Sequence, residues 1–383
     1  MSEPTVLVAA LADRPYWPSL LEVLGPPRGC SFYRPYNYRR AWLAPSLDEL
    51  LSNSILRCDA VVGMRFGRDS YATDEPIHRR FIPLRTAEVQ VQRDDTHVNV
   101  HVRLHGYVPL DPGSHRLWAL EIEEVNRFNP EGDPILAWQA TPGELGQIDK
   151  WKRAAKNVPP GALWESLCSS DLLSEAARDH FKDRVVAFAG GVRDLRAGCA
   201  MDPTVIYRND LGIETYGYSL QVDRPYEVDF ETRRITPPGQ KKFAAAPDFE
   251  FMTSTEVIQA LTGVVPFTGN YRQMPVPIRP RQTSRGRADL HWSPRFAFDV
   301  SSRDLRGDVG IRLPFTVRRS WPLALILLAF LFVLFGAFAV TLGVNANDLS
   351  AAGRSAMQAI GIALISAGIA FGTKVVDDIR RQG

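Results

Sequence analysis

Clustered cysteines are missing from this chain of 383 residues, whose four cysteines, Cys30, Cys58, Cys168 and Cys199, sit far apart. A disulfide-stapled secreted scaffold and a zinc site both need short Cys or His spacings, so neither is expected and the thiols read as free in a reducing compartment. Signature motifs are missing as well. The chain has no P-loop, no GxGxxG after a strand, no HExxH, no CxxC and no GxSxG; Gly217, Tyr218 and Ser219 begin the last, but Gln221 ends it wrongly. These absences leave no catalytic residue, metal ligand or cofactor to name and weigh against an enzyme. Charge of one sign is lacking too: a formal net charge of +2 gives no case for nucleic acid as a partner. No Lys or Arg precedes the apolar run from Val6 to Ala12, so this run reads as a first strand rather than a signal peptide.

What is present in strength is hydrophobic length near the C-terminus. Leu323 to Val344 contains no charge and no polar face, and at about 1.5 Å per residue it spans about 33 Å, enough for a bilayer core. Ser355 to Thr373 is a second uncharged run, so the expectation is a two-helix transmembrane hairpin with the lipid bilayer as its partner. Neither run holds an ionisable residue, which argues against a transporter. Arg312, Arg318 and Arg319 precede the hairpin and Lys374, Arg380 and Arg381 follow it, whereas the connection carries only Arg354. Basic residues favour the cytoplasmic side, which predicts a multi-pass cell-membrane protein with both termini in the cytoplasm. On the second helix Ala359, Ala363, Ser366 and Ala370 share one face, while Gly361, Gly368 and Gly372 share the opposite one. Small faces let helices approach closely in lipid. The alanine face is expected to take the first helix and the glycine face a second copy, giving a homo-oligomer.

The soluble part reads as an α+β multidomain arrangement. Residues 1–83 read as a β-α-β-α-β unit, an α/β layer with a small parallel sheet, in which Ser46 and Glu49 form a capping box. Residues 84–199 read as a mixed β-hairpin and helical region, with its clearest helix from Leu172 to Val186. Residues 200–320 read as a β-rich membrane-proximal domain, a sandwich in outline, because Tyr226, Val228 and Phe230 alternate with Glu227, Asp229 and Glu231. The hairpin takes 321–376 and a cytoplasmic tail 377–383. Pro266 to Pro294 reads as irregular, and its arginines, Arg272, Arg279, Arg281, Arg285 and Arg287, with Arg295 next to it, predict contact with an acidic membrane surface or protein partner.

His97, His101 and His105 recur every fourth residue, yet Val98, Val100, Val102 and Leu104 between them indicate a strand. Four residues of strand span about 13 Å, too far for two histidines to share a metal, so these are expected on a wet strand face. Glu227, Asp229 and Glu231 likewise read as a solvated edge. The candidate ligand site follows from topology: ligands of open parallel sheets bind beyond the carboxyl ends of the strands, which here carry Asp13, Arg14, Arg65, Arg68 and Asp69. Arginines gathered there would suit a small anionic ligand. The resulting expectation is a membrane-anchored cytoplasmic sensor or effector. A tethered enzyme acting on a small, nucleotide-like anion and a passive scaffold are the alternatives.

Overall fold

The computed structural model describes residues 4–11, 23–32, 35–51, 55–65, 80–94, 96–110, 120–121, 135–155, 159–169, 185–234, 248–253, 257–260, 264–266, 271–284, 288–295, 311–318, 323–345 and 350–382. It is a strand-rich α+β protein with several sheets and a C-terminal pair of helices that are long and apolar enough to cross a membrane.

The first sheet is seven-stranded and built mostly from the N-terminal third. Its strands are β1 (Thr5–Leu11), β2 (Tyr36–Arg39), β3 (Leu56–Arg65), β4 (Arg80–Arg93), β5 (His97–Tyr107), β6 (Leu120–Glu121) and β7 (Ala137–Gln139). The order is β2-β5-β4-β3-β1-β7, with β6 on β4. Only β1 and β3 run parallel; β2, β4, β5 and β7 all pair antiparallel. The expected small parallel sheet is therefore one parallel pair inside an antiparallel frame. The period-two alternation from residue 84 onward belongs to that same sheet. β4 crosses residue 83 without a break, so residues 1–83 and the following hairpin share one layer.

Local chemistry explains the flanking helices. α1 (Pro45–Leu50) starts at a proline after Ala44, with no side-chain cap, so the Ser46–Glu49 box foreseen from sequence does not form. A capping box does open α2 (Pro142–Ala154), where the Thr141 side chain and Glu144 satisfy each other's backbone N–H groups. Trp151 of α2 and Trp138 of β7 close around Phe81, with ring centroids 6.1 and 5.4 Å away. Lys152 ties the same helix to Asp59 of β3 at 2.8 Å. Leu163, Trp164 and Leu167 of α3 (Pro160–Ser169) complete this first core. Residues 170–184, most of the expected helix from Leu172, lie outside the described residues, and Val185 and Val186 are strand.

Two further sheets follow. One holds β10 (Thr204–Arg208), β11 (Glu214–Gln221), β13 (Asp248–Thr253), β15 (Val264–Pro266), β17 (Ala288–Arg295) and β18 (Ile311–Arg318); the other holds β8 (Val185–Asp194), β9 (Cys199–Met201), β12 (Tyr226–Arg234), β14 (Ile258–Ala260) and β16 (Tyr271–Pro280). Both contribute to one apolar cluster: Val192, Val228, Phe230 and Ile278 from one, Tyr218, Leu220, Leu313, Phe315 and Val317 from the other. β8 spans the two cores, with Phe188 in the first and Ala189 and Val192 in the second. The β-rich region thus begins ahead of residue 200.

Pro266 to Pro294 is not irregular throughout, since β16 and β17 lie within it. Pro275 and Pro277 are tolerated because they share one side of β16. There β14 pairs only with Ile278, Arg279 and Pro280, so the missing N–H groups cost no ladder bond.

The C-terminal helices, α4 (Leu323–Asn345) and α5 (Ala351–Gln382), pack along each other as an antiparallel pair. Their outward surface is apolar: Phe330, Leu334, Phe335, Phe338, Ile360, Ile362 and Ile369 are all exposed. Such a surface suits lipid rather than water.

Candidate functional site

Among the described residues, the best-formed cleft opens where the first sheet meets the second core. It has a volume of about 560 Å³, within the range of small-molecule sites. Its walls come from segments distant in sequence. One wall is the Pro26–Gly29 turn and the wet face of β5, which contribute Arg28, Arg103 and His105. The other is β8 with the Asp202–Pro203 corner, Tyr218 of β11 and Asp229 of β12.

The Pro26–Gly29 turn needs glycine at its end. Gly29 has φ +88, and an added Cβ would also press on Pro203 at 3.2 Å. From there residues 29–32 run along β5: the Gly29 and Phe32 N–H groups donate to the Leu104 and Val102 carbonyls at 2.6 and 3.0 Å. The same segment stitches the two cores together. Ser31 N–H donates to Tyr216 O at 2.9 Å, and Tyr216 N–H donates to Ser31 Oγ at 3.0 Å.

Arg85 fastens this turn from below. It is fully buried, and its guanidinium donates to the carbonyls of Pro26 at 2.6 Å, Val23 at 3.2 Å and His105 at 2.6 Å. The ring of Tyr107 lies 4.1 Å beneath it, and the Tyr107 hydroxyl donates to Leu24 O at 2.7 Å. Burial lowers the Arg85 pKa from the usual arginine range. Carbonyl dipoles and the aromatic face offset much of that desolvation cost.

Arg103 and His105 stand two residues apart on β5, so both project to the same side. Glu88, facing Arg103 across the β4–β5 ladder, takes Arg103 Nη1 at 3.1 Å and His105 Nε2 at 3.2 Å. The Arg103 guanidinium also stacks over the Tyr216 ring at 3.9 Å. Burial holds the His105 imidazole below its ordinary range, although Glu88 pulls the other way. His105 is therefore neutral at pH 7 and donates a hydrogen bond to Glu88.

The opposite wall carries a bulge. Opposite Asp229 and Phe230 the register of β8 slips past Gly190, so Gly190 and Gly191 expose backbone to the cleft. Gly191 has φ +147, a conformation that favours glycine. Beneath it Tyr218 meets Cys30 by a side-chain hydrogen bond, and burial pushes the Cys30 thiol up to about 12. Arg28, Arg103 and Arg193 line the opening together with Asp202 and Asp229, and Arg103 is already paired with Glu88. Arg28 and Arg193 are exposed there, where each can meet an anion.

Of the five residues of the site inferred from topology, the structure describes Arg65. Arg65 is fully buried, and its Nη1 donates to the carbonyl of Ile135 rather than facing an open edge. Residues 135–136, which lead into β7, lie beside the ends of β1 and β3, where Leu136 O also accepts the Ala9 N–H at 2.7 Å. Asp13, Arg14, Arg68 and Asp69 lie outside the described residues. The histidine ladder takes the expected arrangement, with Val98, Val100, Val102 and Leu104 buried and the alternate residues partly exposed. No group of three His, Cys, Asp or Glu able to hold a metal ion occurs among the described residues.

The glycine face of α5 lies against α4. A Cβ on Gly361 would sit 2.6 Å from Gly336 O, and one on Gly368 would sit 2.9 Å from Ala329 O. Among the described residues nothing lies within 4 Å of a Cβ on Gly372, while Ala359, Ala363, Ser366 and Ala370 are exposed. The first helix, expected on the alanine face, lies on the glycine face instead. Close approach explains it: Ala329, Gly336 and Gly343 recur every seventh residue on α4, matching Gly361 and Gly368 on α5.

Comparison with protein-family models and with curated proteins returns no match for this chain.

Proposed function

We propose that this chain is a membrane-anchored sensor or effector that binds a small anionic ligand in the cleft between its two cores. The observation that carries the reading is the cleft lining: arginines supplied by both walls, Arg28 and Arg103 from one and Arg193 from the other. A ligand with two anionic groups can engage both walls at once, and its binding free energy then favours one relative placement of them. Exposed glycine backbone at 190–191 allows close approach of a phosphate- or carboxylate-sized group.

In this reading the hairpin holds the soluble region at the cell membrane, with both termini in the cytoplasm. The support is Arg318 ahead of α4 and Lys374 late in α5, against Arg354 near the turn. Copies assemble, if through small residues, by the open Ala359–Ala363–Ser366–Ala370 face. The experiment is native mass spectrometry and calorimetry of the full chain in nanodiscs with panels of mono- and bisphosphorylated or dicarboxylate compounds. Binding lost in Arg103→Ala and in Arg193→Ala supports a two-walled site. Binding untouched by either substitution, or no binding to any anion, sinks it. Turnover of a bound compound would move the reading to a tethered enzyme.

A further inference from the structure

One end of the β-rich region is fixed next to the hairpin. β18 ends at Arg318 and α4 begins at Leu323, so residues 319–322 can bridge at most about 18 Å. The turns gathered at that end are tied together by backbone hydrogen bonds. Val222 N–H donates to Arg318 O at 3.0 Å and Ser284 N–H to Val317 O at 3.0 Å. Asp223 N–H donates to Pro280 O at 2.9 Å, Arg281 N–H to Val257 O at 2.7 Å, and Leu195 N–H to Pro225 O at 3.3 Å. These bonds join the 195–198, 222–225 and 280–284 turns into a rim at the end of β18, the strand that precedes the hairpin.

The rim is basic. It carries Arg196, Arg224, Arg279, Arg281 and Arg318, against Asp194 and Asp223. Asp194 is held by Arg224 at 2.6 Å and Asp223 by Arg279 at 3.7 Å. Arg196, Arg279 and Arg281 are exposed, as is Leu195 at the tip of its turn. Arg272 and Arg295 do not belong to it: they stand toward the far ends of β16 and β17, where Arg272 pairs with Thr232 and Arg295 with Asp248.

We infer that this rim is a docking surface for the anionic headgroups of the bilayer that the hairpin enters. The inference rests on the membrane-anchoring reading. The occupant follows from reach and charge: the chain leads from Arg318 into an apolar helix within a few residues, and a negatively charged leaflet attracts arginines held at its surface. The contact sets how the β-rich region stands on the membrane, a second restraint added to the short link.

Cys199 provides the probe, because it opens β9 beside the rim and is exposed, whereas Cys30, Cys58 and Cys168 are buried. Full-length protein labelled at Cys199 is placed in nanodiscs carrying acceptor-labelled headgroups, with phosphatidylcholine alone or with phosphatidylglycerol added. Energy transfer should be greater in the anionic discs, and salt should erase the difference as the screening length drops below about 10 Å. Arg196→Gln, Arg279→Gln and Arg281→Gln should each lower the docked-to-undocked ratio about fivefold, and the triple variant should abolish the difference. Equal transfer in both discs for the native chain, or a preserved difference in the triple variant, overturns the inference. So does a rise caused by free inorganic phosphate in zwitterionic discs, which would mark an ion site rather than a surface. Co-elution with the discs reads the hairpin separately; a chain that does not co-elute overturns the anchoring reading and this inference with it.

Discussion

Replacing Gly361 by leucine should open the hairpin from within. An added Cβ would stand 2.6 Å from both Gly336 O and Val340 Cγ2, and at Gly368 it would stand 2.7 Å from Val333 Cγ2. Carbon atoms rest at about 3.5–4.0 Å, so the helices must separate by about 1 Å or more. A gap of that size forfeits a quarter to a half of each dispersion contact along the seam, and overpacking of this kind costs about 1–3 kcal/mol. Leucine, with three more heavy atoms in the same space, belongs at the upper end. The assay is SDS titration of the full chain in mild detergent, following energy transfer between labels at the open end of the hairpin, beside Leu323 and at Lys374. Gly361→Leu and Gly368→Leu should each lower the midpoint, whereas Gly372→Leu and Ala363→Leu, which face no neighbour in the pair, should leave it near the native value. Equal effects at Gly368 and Gly372, or no effect at Gly361, would refute the packing argument. Loss of subunit contact with an intact hairpin would return the glycine face to the role read from sequence.

Four further outcomes are expected. Arg85→Met should lower thermal stability by about 3 kcal/mol or more, because the carbonyls of Val23, Pro26 and His105 each lose a buried donor worth about 1–3 kcal/mol; an unchanged melting curve contradicts this. In native protein a maleimide should modify Cys199 alone, and all four thiols only after unfolding, since Cys30 and Cys168 are buried with raised pKa. Anion affinity in the cleft should rise as pH falls below the ordinary histidine range: His105 is neutral at pH 7, and its protonation adds a positive charge beside Arg103. His105→Asn should flatten that profile. Glu214 holds its carboxyl below the usual range through the Tyr216 hydroxyl first and Arg208 second. Its contribution to stability is therefore full above the ordinary glutamate pKa and is lost as pH falls through the lowered one, which Glu214→Gln should show as a weaker acid dependence of unfolding.

How legible the chain was depends on how local each determinant is. The two C-terminal helices long and apolar enough to cross a membrane follow from uncharged runs and a bilayer thickness, both readable in one dimension. β5 was legible for the same reason, because Val98 to Leu104 alternates strictly and a strand has only two faces. Beyond the β4–β5 hairpin, sheet order was not legible: β1 pairs with β3 and β7, and β2 with β5, across long separations, and an apolar run such as that of β3 fits a parallel or an antiparallel neighbour equally. The cleft was hidden because Arg28, Arg103 and Arg193 come from three elements that no spacing rule connects. A trace was present, since the alternation that exposed His101 and His105 also places Arg103 on that face. The two faces of α5 illustrate a further limit. Helical periodicity separated glycine from alanine correctly, but which face meets α4 depends on how closely two backbones can approach, and that is a property of both helices together.

The positions of the cleft and the rim have a mechanical consequence. Tyr218 lines the cleft and Gln221 lies at the rim on the same strand, β11; on β8 the corresponding residues are Gly191 and Asp194. Three residues of strand cover about 10 Å, and β11 pairs in parallel with β18, the strand that leads to α4. Under the proposed function, a ligand that draws Arg103 toward Arg193 acts on strands whose other ends stand at the membrane. Strands in a hydrogen-bonded ladder keep their register, so a tilt imposed at the cleft is expected to move the rim as well. The link of residues 319–322 is too short to absorb a large displacement, and the hairpin is braced by glycine contacts. The argument requires that ligand alter the energy transfer from Cys199 to the headgroups in anionic discs. A ligand that binds with full affinity and leaves that transfer unchanged would show that cleft and membrane act independently.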